Sequence, residues 1–124
     1  MKLKSFVTFT LLLLTFLSSC SKKDDLISNS FEGEWSGTYN GNDYGTWTVS
    51  VSNDGTVTGN TYSDLLKMSF TINGRVNNAG ELLATFGKSS SDGTFSGTLS
   101  GSKSSGKWTN DSYSGSWTGT KNRN

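Results

Sequence analysis

From residue 31 onward the chain keeps a beat of two. In residues 33–39, GEWSGTY, the residues Gly33, Trp35, Gly37 and Tyr39 hold one parity, and Glu34, Ser36 and Thr38 hold the other. The same alternation returns in GTWTVSV, GTFSGTL, GKW and GSWTG. Alternation of this kind belongs to strands with one dry and one wet face, and no helical period interrupts it. The runs are separated by NGNDYG, SNDG, NNAG, SSSDG, SKSSG and NDSYSG. Asp-Gly and Asn- or Ser-Gly clusters between alternating runs mark hairpin turns. The pattern predicts eight strands, over residues 31–39, 45–52, 56–63, 67–76, 81–87, 94–101, 105–110 and 115–121. Asn73-Gly74 could turn the chain, but Met68, Phe70, Ile72, Gly74 and Val76 keep one parity through it, so 67–76 is read as unbroken.

The expected dry face carries Phe31, Trp35, Tyr39, Trp47, Val49, Val51, Val57, Met68, Phe70, Ile72, Val76, Leu82, Ala84, Phe86, Phe95, Leu99, Trp108 and Trp117. The other face is Ser, Thr, Asn, Asp and Lys. Sheets with one dry and one wet face are antiparallel, and short connections make them a meander. A long sheet of this kind must curl or stack to cover its apolar face, and closure also removes its adhesive edges. The predicted fold is therefore all-β, an antiparallel up-and-down meander of about eight strands closed into a small barrel. Gly37, Gly59, Gly97, Gly101 and Gly119 fall on the inward parity beside large residues. A narrow interior cannot seat a large side chain at every inward position; glycine leaves room for a neighbouring ring and allows the backbone to bend. Read otherwise, these glycines are loop punctuation.

The first-strand Gly-x-Trp at Gly33 and Trp35, with Lys121 and Arg123 just past the last strand, resembles the calycin superfamily of lipocalins, fatty-acid-binding proteins and avidins. The stretch GTWTVSVSNDGTVTGNTYS, residues 45–63, is similar to the strand–turn–strand rhythm of avidins. The resemblance implies a closed barrel in which a basic residue from the last strand covers the first-strand Trp, a cation–π contact. It is one of rhythm across 31–121, and no ligand set is carried over.

The N-terminus reads differently. A basic start, MKLK, is followed by the apolar run FVTFTLLLLTFL at residues 6–17. Twelve residues at about 1.5 Å each do not span a hydrocarbon core of about 30 Å, and a basic start, short apolar run and small residues make a secretory signal. LSSC, residues 17–20, resembles the bacterial lipobox, in which the cysteine is acylated and the signal is cut before it. Cys20 is the single cysteine of the chain, so no internal disulfide can form. SKKDD, Ser21, Lys22, Lys23, Asp24 and Asp25, resembles the export signal of Bacteroidetes-type surface lipoproteins; read otherwise it is a solvated tether. The expected organisation is a signal peptide at 1–19, a lipidated flexible tether at 20–30, a barrel at 31–121 and a tail at 122–124. The expected location is the outer membrane, lipid-anchored at Cys20 and facing the exterior.

Composition narrows the chemistry. Without Lys2 and Lys4, nine basic residues face ten acidic ones, which gives no reason to expect nucleic acid as a partner. The acids lie mainly before residue 67 and the bases after it, so the two ends should attract. There is no histidine. With Cys20 lipidated, Ser–His and Cys–His nucleophiles are unavailable and zinc loses its usual ligands. Most acids, including Asp43, Asp54 and Asp111, sit in turns where turn chemistry already accounts for them. The NGNDYG loop lacks the twelve-residue calcium pattern. No enzyme, cofactor or metal is expected. Trp35, Trp47, Trp108 and Trp117 form either packed core or the wall of a small-ligand pocket around one end. Tyr44, Tyr62 and Tyr113, near turns, form either turn packing or an exposed recognition rim. The expected function is a non-catalytic binding or interaction module with a small-ligand, protein or glycan partner; the alternative is a structural envelope lipoprotein.

Overall fold

The computed structural model describes residues 31–87 and 93–123. Within them are eight strands: β1 (Gly33–Gly41), β2 (Gly45–Val51), β3 (Thr56–Ser63), β4 (Met68–Val76), β5 (Glu81–Phe86), β6 (Gly93–Ser100), β7 (Lys103–Asn110) and β8 (Ser114–Lys121). Each pairs antiparallel with the next, and β8 returns to β1, closing the barrel. No described residue lies in a helix. The expected meander and its closure are therefore present, and β4 runs unbroken through Asn73-Gly74. The bounds shift by one or two residues: β1 starts and finishes two residues later than expected, β7 starts two residues earlier, at Lys103, and ends of β2, β4, β5, β6 and β8 shift by one. The expected signal at 1–19, Cys20, the Ser21–Asp25 segment and the expected tether lie outside the described residues.

Glycine and aromatic residues are matched across strands. Register sets Gly37 opposite Trp47, Gly106 opposite Trp117, Gly115 opposite Trp108 and Gly45 opposite Tyr39. Gly37 also faces Gly119, and Gly97 faces Gly106. A Cβ at either Gly97 or Gly106 would stand 2.7 Å from Cζ2 of Trp117, and one at Gly115 would stand 2.6 Å from Nε1 of Trp108. The indoles lie across bare backbone and use it. Trp117 Nε1 donates to the carbonyls of Ser96 (3.2 Å) and Lys107 (3.1 Å), and Trp108 Nε1 donates to the Asn40 carbonyl at 3.0 Å. Gly101 departs from this scheme. It turns the chain between β6 and β7 with φ +64° and open space at its Cβ, so it is a turn glycine and not an inward one.

The core follows the expected dry face with one clear exception. Met68 is 49 % exposed, because it opens β4 at the barrel end, beyond the last turn of wall that could cover it. Phe70 and Leu82 are partly buried against the core. Ring edges meet ring faces in most pairs, with Tyr39–Trp108 centroids 5.6 Å apart at 82° and Trp47–Trp117 centroids 5.5 Å apart at 85°, the geometry that aromatic quadrupoles favour; Phe95 and Trp117 are tilted at 39°. The seam between β1 and β8 is a main-chain ladder: Lys121 stands opposite Trp35, and Asn122 N–H donates to the Glu34 carbonyl. A Cβ at Gly33 would meet Cε of Lys121 at 2.9 Å, so the lysine stem runs over that glycine beside Trp35. The Glu34 carboxyl accepts from the Ser50 hydroxyl on β2.

Candidate functional site

The four tryptophans are buried and spread along the barrel axis, not gathered at one end. Trp35 sits at the pole where the chain enters, its Nε1 donating to the Phe31 carbonyl at 2.8 Å. Trp108 packs against Tyr39 toward the other pole, and Trp47 and Trp117 touch between them. The cavity that Trp35, Trp47 and Trp117 border measures about 20 Å³, space for about one water. Across the register, glycine has let the rings fill the space around this cavity, which accords with the packed-core alternative for these tryptophans rather than the pocket-wall one.

The polar chemistry collects at the pole opposite Phe31. Asp43, which the sequence suggested was an ordinary turn residue, is only 7 % exposed. Its Oδ1 accepts from the Ser63 hydroxyl (2.8 Å) and from the Tyr44 N–H (2.7 Å), and its Oδ2 accepts from the Tyr39 hydroxyl at 3.1 Å. Ser63, fully buried, accepts in turn from the Leu66 N–H at 2.9 Å. Burial pushes the Tyr39 phenol up to about 12, the neighbouring Asp43 charge adding to it. Satisfied buried networks of this kind are rigid. This one plugs the barrel end and fixes the main chain of two residues that point away from it, Tyr44 and Leu66.

Those two belong to a rim. Tyr44, Leu65, Leu66, Met68 and Tyr113 are each between 40 % and 50 % exposed, and Tyr62 is 38 % exposed on β3 below them. The loops bearing them are stitched together: Asp64 N–H donates to the Tyr44 carbonyl at 2.9 Å, and Asn42 N–H to the Ser114 carbonyl at 3.1 Å. The Asp64–Lys67 turn is closed by the Lys67 N–H to the Ser63 carbonyl at 2.8 Å, with Lys67 in the left-handed region at φ 61°. That conformation is uncommon for a residue with a side chain, and here it lifts Leu65 and Leu66 outward. The three tyrosines expected near turns are thus exposed at or near one pole. Leu65, Leu66 and Met68 were missed. The signal was an apolar pair, Leu65-Leu66, held between turn residues where no core position exists.

Compared with protein-family models, curated proteins and solved structures, the chain matches none. What the barrel can do therefore rests on its own surfaces. Among the described residues no cluster of three His, Cys, Asp or Glu could hold a metal ion. Among the described residues Asp43 is the one buried carboxyl, and it is engaged in the plug, with no second carboxyl among its hydrogen-bond partners to divide acid and base roles. The outward feature of this pole is apolar and aromatic, which is the composition of a contact surface.

Proposed function

We propose that this chain is a lipid-anchored outer-membrane protein, acylated at Cys20 and displayed on the cell exterior, whose barrel is a non-catalytic interaction module. The supporting observation is the two-pole arrangement. The chain enters the barrel at Phe31, and the exposed Tyr44, Leu65, Leu66, Met68 and Tyr113 crown the opposite pole. A tether at one pole turns the other pole away from the membrane. Exposed apolar residues on loops held rigid from beneath lose little freedom on contact, which favours binding. The filled interior supports recognition on the outside of the barrel over carriage within it.

The test has two arms. Cys20→Ala should abolish incorporation of labelled palmitate and leave the precursor uncut, and external protease should reach the wild-type chain on intact cells. A photo-crosslinker at position 66 on cells should then capture a discrete partner, lost in Tyr44→Ser and Leu65→Ser, whereas one at position 58 on the barrel wall should not. Equal, diffuse crosslinking from both positions would favour the second reading, a structural envelope protein. The Ser- and Thr-rich outer wall and the small volume, about 20 Å³, of the cavity bordered by Trp35, Trp47 and Trp117 are the observations that favour that reading.

A further inference from the structure

The outer wall is not uniform. On the β7–β8 pair, register stacks Lys103 against Thr120, Ser105 against Thr118 and Lys107 against Ser116, all facing out. β6 and β1 extend these rows with Ser100, Thr98, Ser96, Thr38 and Asn40. Two shallow grooves lie along this face, one of about 410 Å³ beside Lys103 and one of about 520 Å³ beside Lys107. They open where small side chains leave the space around each lysine empty, over the bare backbone of Gly119 and Gly115. No carboxylate stands at these positions; Glu34 shares the outward parity of β1 at its lower end, and Glu81 on β5 stands opposite Thr98. The nearest acids are engaged or at the margins: Glu34 is bonded to Ser50, Glu81 on β5 to Asn77, and Asp111 lies in the turn above. Arg123 follows β8 at the lower end.

We propose that this face of β6, β7, β8 and β1 binds an acidic polysaccharide chain laid along the two grooves. Three features select that partner. The face offers hydroxyl and amide groups in rows, which can exchange hydrogen bonds with a polyhydroxylated chain. It offers two cations four residues apart on one strand, about 13 Å, which match carboxylates spaced by neutral sugars. A nucleic acid carries a charge about every 3.4 Å per strand and is held through stacking rings; no exposed aromatic side chain stands in these rows, since Trp108, which lines the second groove, is buried and Tyr113 stands in the turn above it. A protein partner would seek apolar anchors, and this face has none. The surface adjoins the apolar rim at Tyr113, beside the groove residue Ser114, and the proposal is tested at Lys103, Lys107 and Thr118, outside that rim.

The probe is hyaluronan, with one carboxylate per disaccharide, titrated calorimetrically into the purified full-length protein. Neutral dextran and single-stranded DNA are the comparison polymers. Hyaluronan should bind, with affinity falling about tenfold from about 20 to about 200 mM salt, as exposed charge contacts do. Lys103→Gln with Lys107→Gln should weaken binding about tenfold or more. Lys67→Gln with Arg75→Gln, elsewhere on the barrel, should leave it unchanged. Thr118→Tyr, which fills the groove and keeps every charge, should also weaken it; circular dichroism checks that each variant is folded. Absence of hyaluronan binding, equal loss in the two double variants, an unchanged affinity in Thr118→Tyr, or equally tight DNA binding would each overturn the proposal.

Discussion

At the scale of single residues, the molecule turns on what glycine omits. A Cβ at Gly119 would overlap the ring of Trp47 and the Ser36 carbonyl of the neighbouring strand, and backbone cannot step aside as a flexible side chain can. Gly119→Ala should therefore destabilise by about 3 kcal/mol, at the upper end for overpacking, whereas Gly101→Ala is opposed by its positive φ alone and should cost about 1 kcal/mol. Urea midpoints of the two variants check the ranking. Tyr39 makes the second residue-scale prediction. Its phenol titrates at about 12, raised from 10 by burial. The folded state keeps the proton that the unfolded state gives up, so its contribution is complete below pH 10 and is lost as pH rises through 12. Tyr39→Phe should lower stability at pH 7 by about 1–3 kcal/mol by leaving Asp43 Oδ2 without its donor. It should also flatten the alkaline decline; denaturation at pH 7 and pH 11 reads both effects.

At the scale of elements, the turns do different work at the two poles. In the β2–β3 turn, Asp54 accepts from the Ser52 hydroxyl and from the Thr56 N–H at 3.0 Å. These bonds, the Ser52 one foremost, lower its carboxyl to about 2 from 3.8. A lowered carboxyl stabilises the fold above the unfolded value and loses that contribution as pH falls to the folded one. The stability difference between wild type and Asp54→Ala should therefore be full above pH 5 and vanish between pH 4 and pH 2. Unfolding midpoints taken down that range measure it. At the other pole, Asp43 and Ser63 reach inward and hold the β1–β2 and β3–β4 loops from beneath. Ser63→Ala orphans the Leu66 N–H and one bond of Asp43, so amide exchange should quicken at Tyr44 and Leu66 while the β6–β7 ladder stays protected.

At the scale of the whole molecule, closure is the decisive event, since β1 meets β8 along seven paired positions from Trp35–Lys121 to Gly41–Gly115. Removing residues 119–124 should expose the β1 edge and promote self-association, seen as concentration-dependent light scattering that the intact chain lacks. Much of this was legible beforehand. A period of two, turn clusters between the runs and one apolar parity dictate strands, antiparallel order and a curled sheet, because those depend only on neighbours in sequence. The inward parity of Trp35, Trp47, Trp108 and Trp117 was legible for the same reason. Whether those rings would line a cavity or fill it was not, because that depends on which glycine faces which ring across strands, a matter of register. Asp43 read as a turn residue because local sequence cannot show that Ser63, twenty positions on, would arrive beside it. Met68 kept the inward parity of its strand yet lies exposed, since parity gives the side of the sheet but not how far the wall extends. The sequence by itself determined the elements, their order and their dry face; only the tertiary structure decided that the interior is solid, that a buried carboxyl closes one pole, and that the exposed chemistry gathers there and along the β7–β8 wall. Alternation is local, whereas filling, burial and adjacency arise when residues distant in the chain are brought into contact.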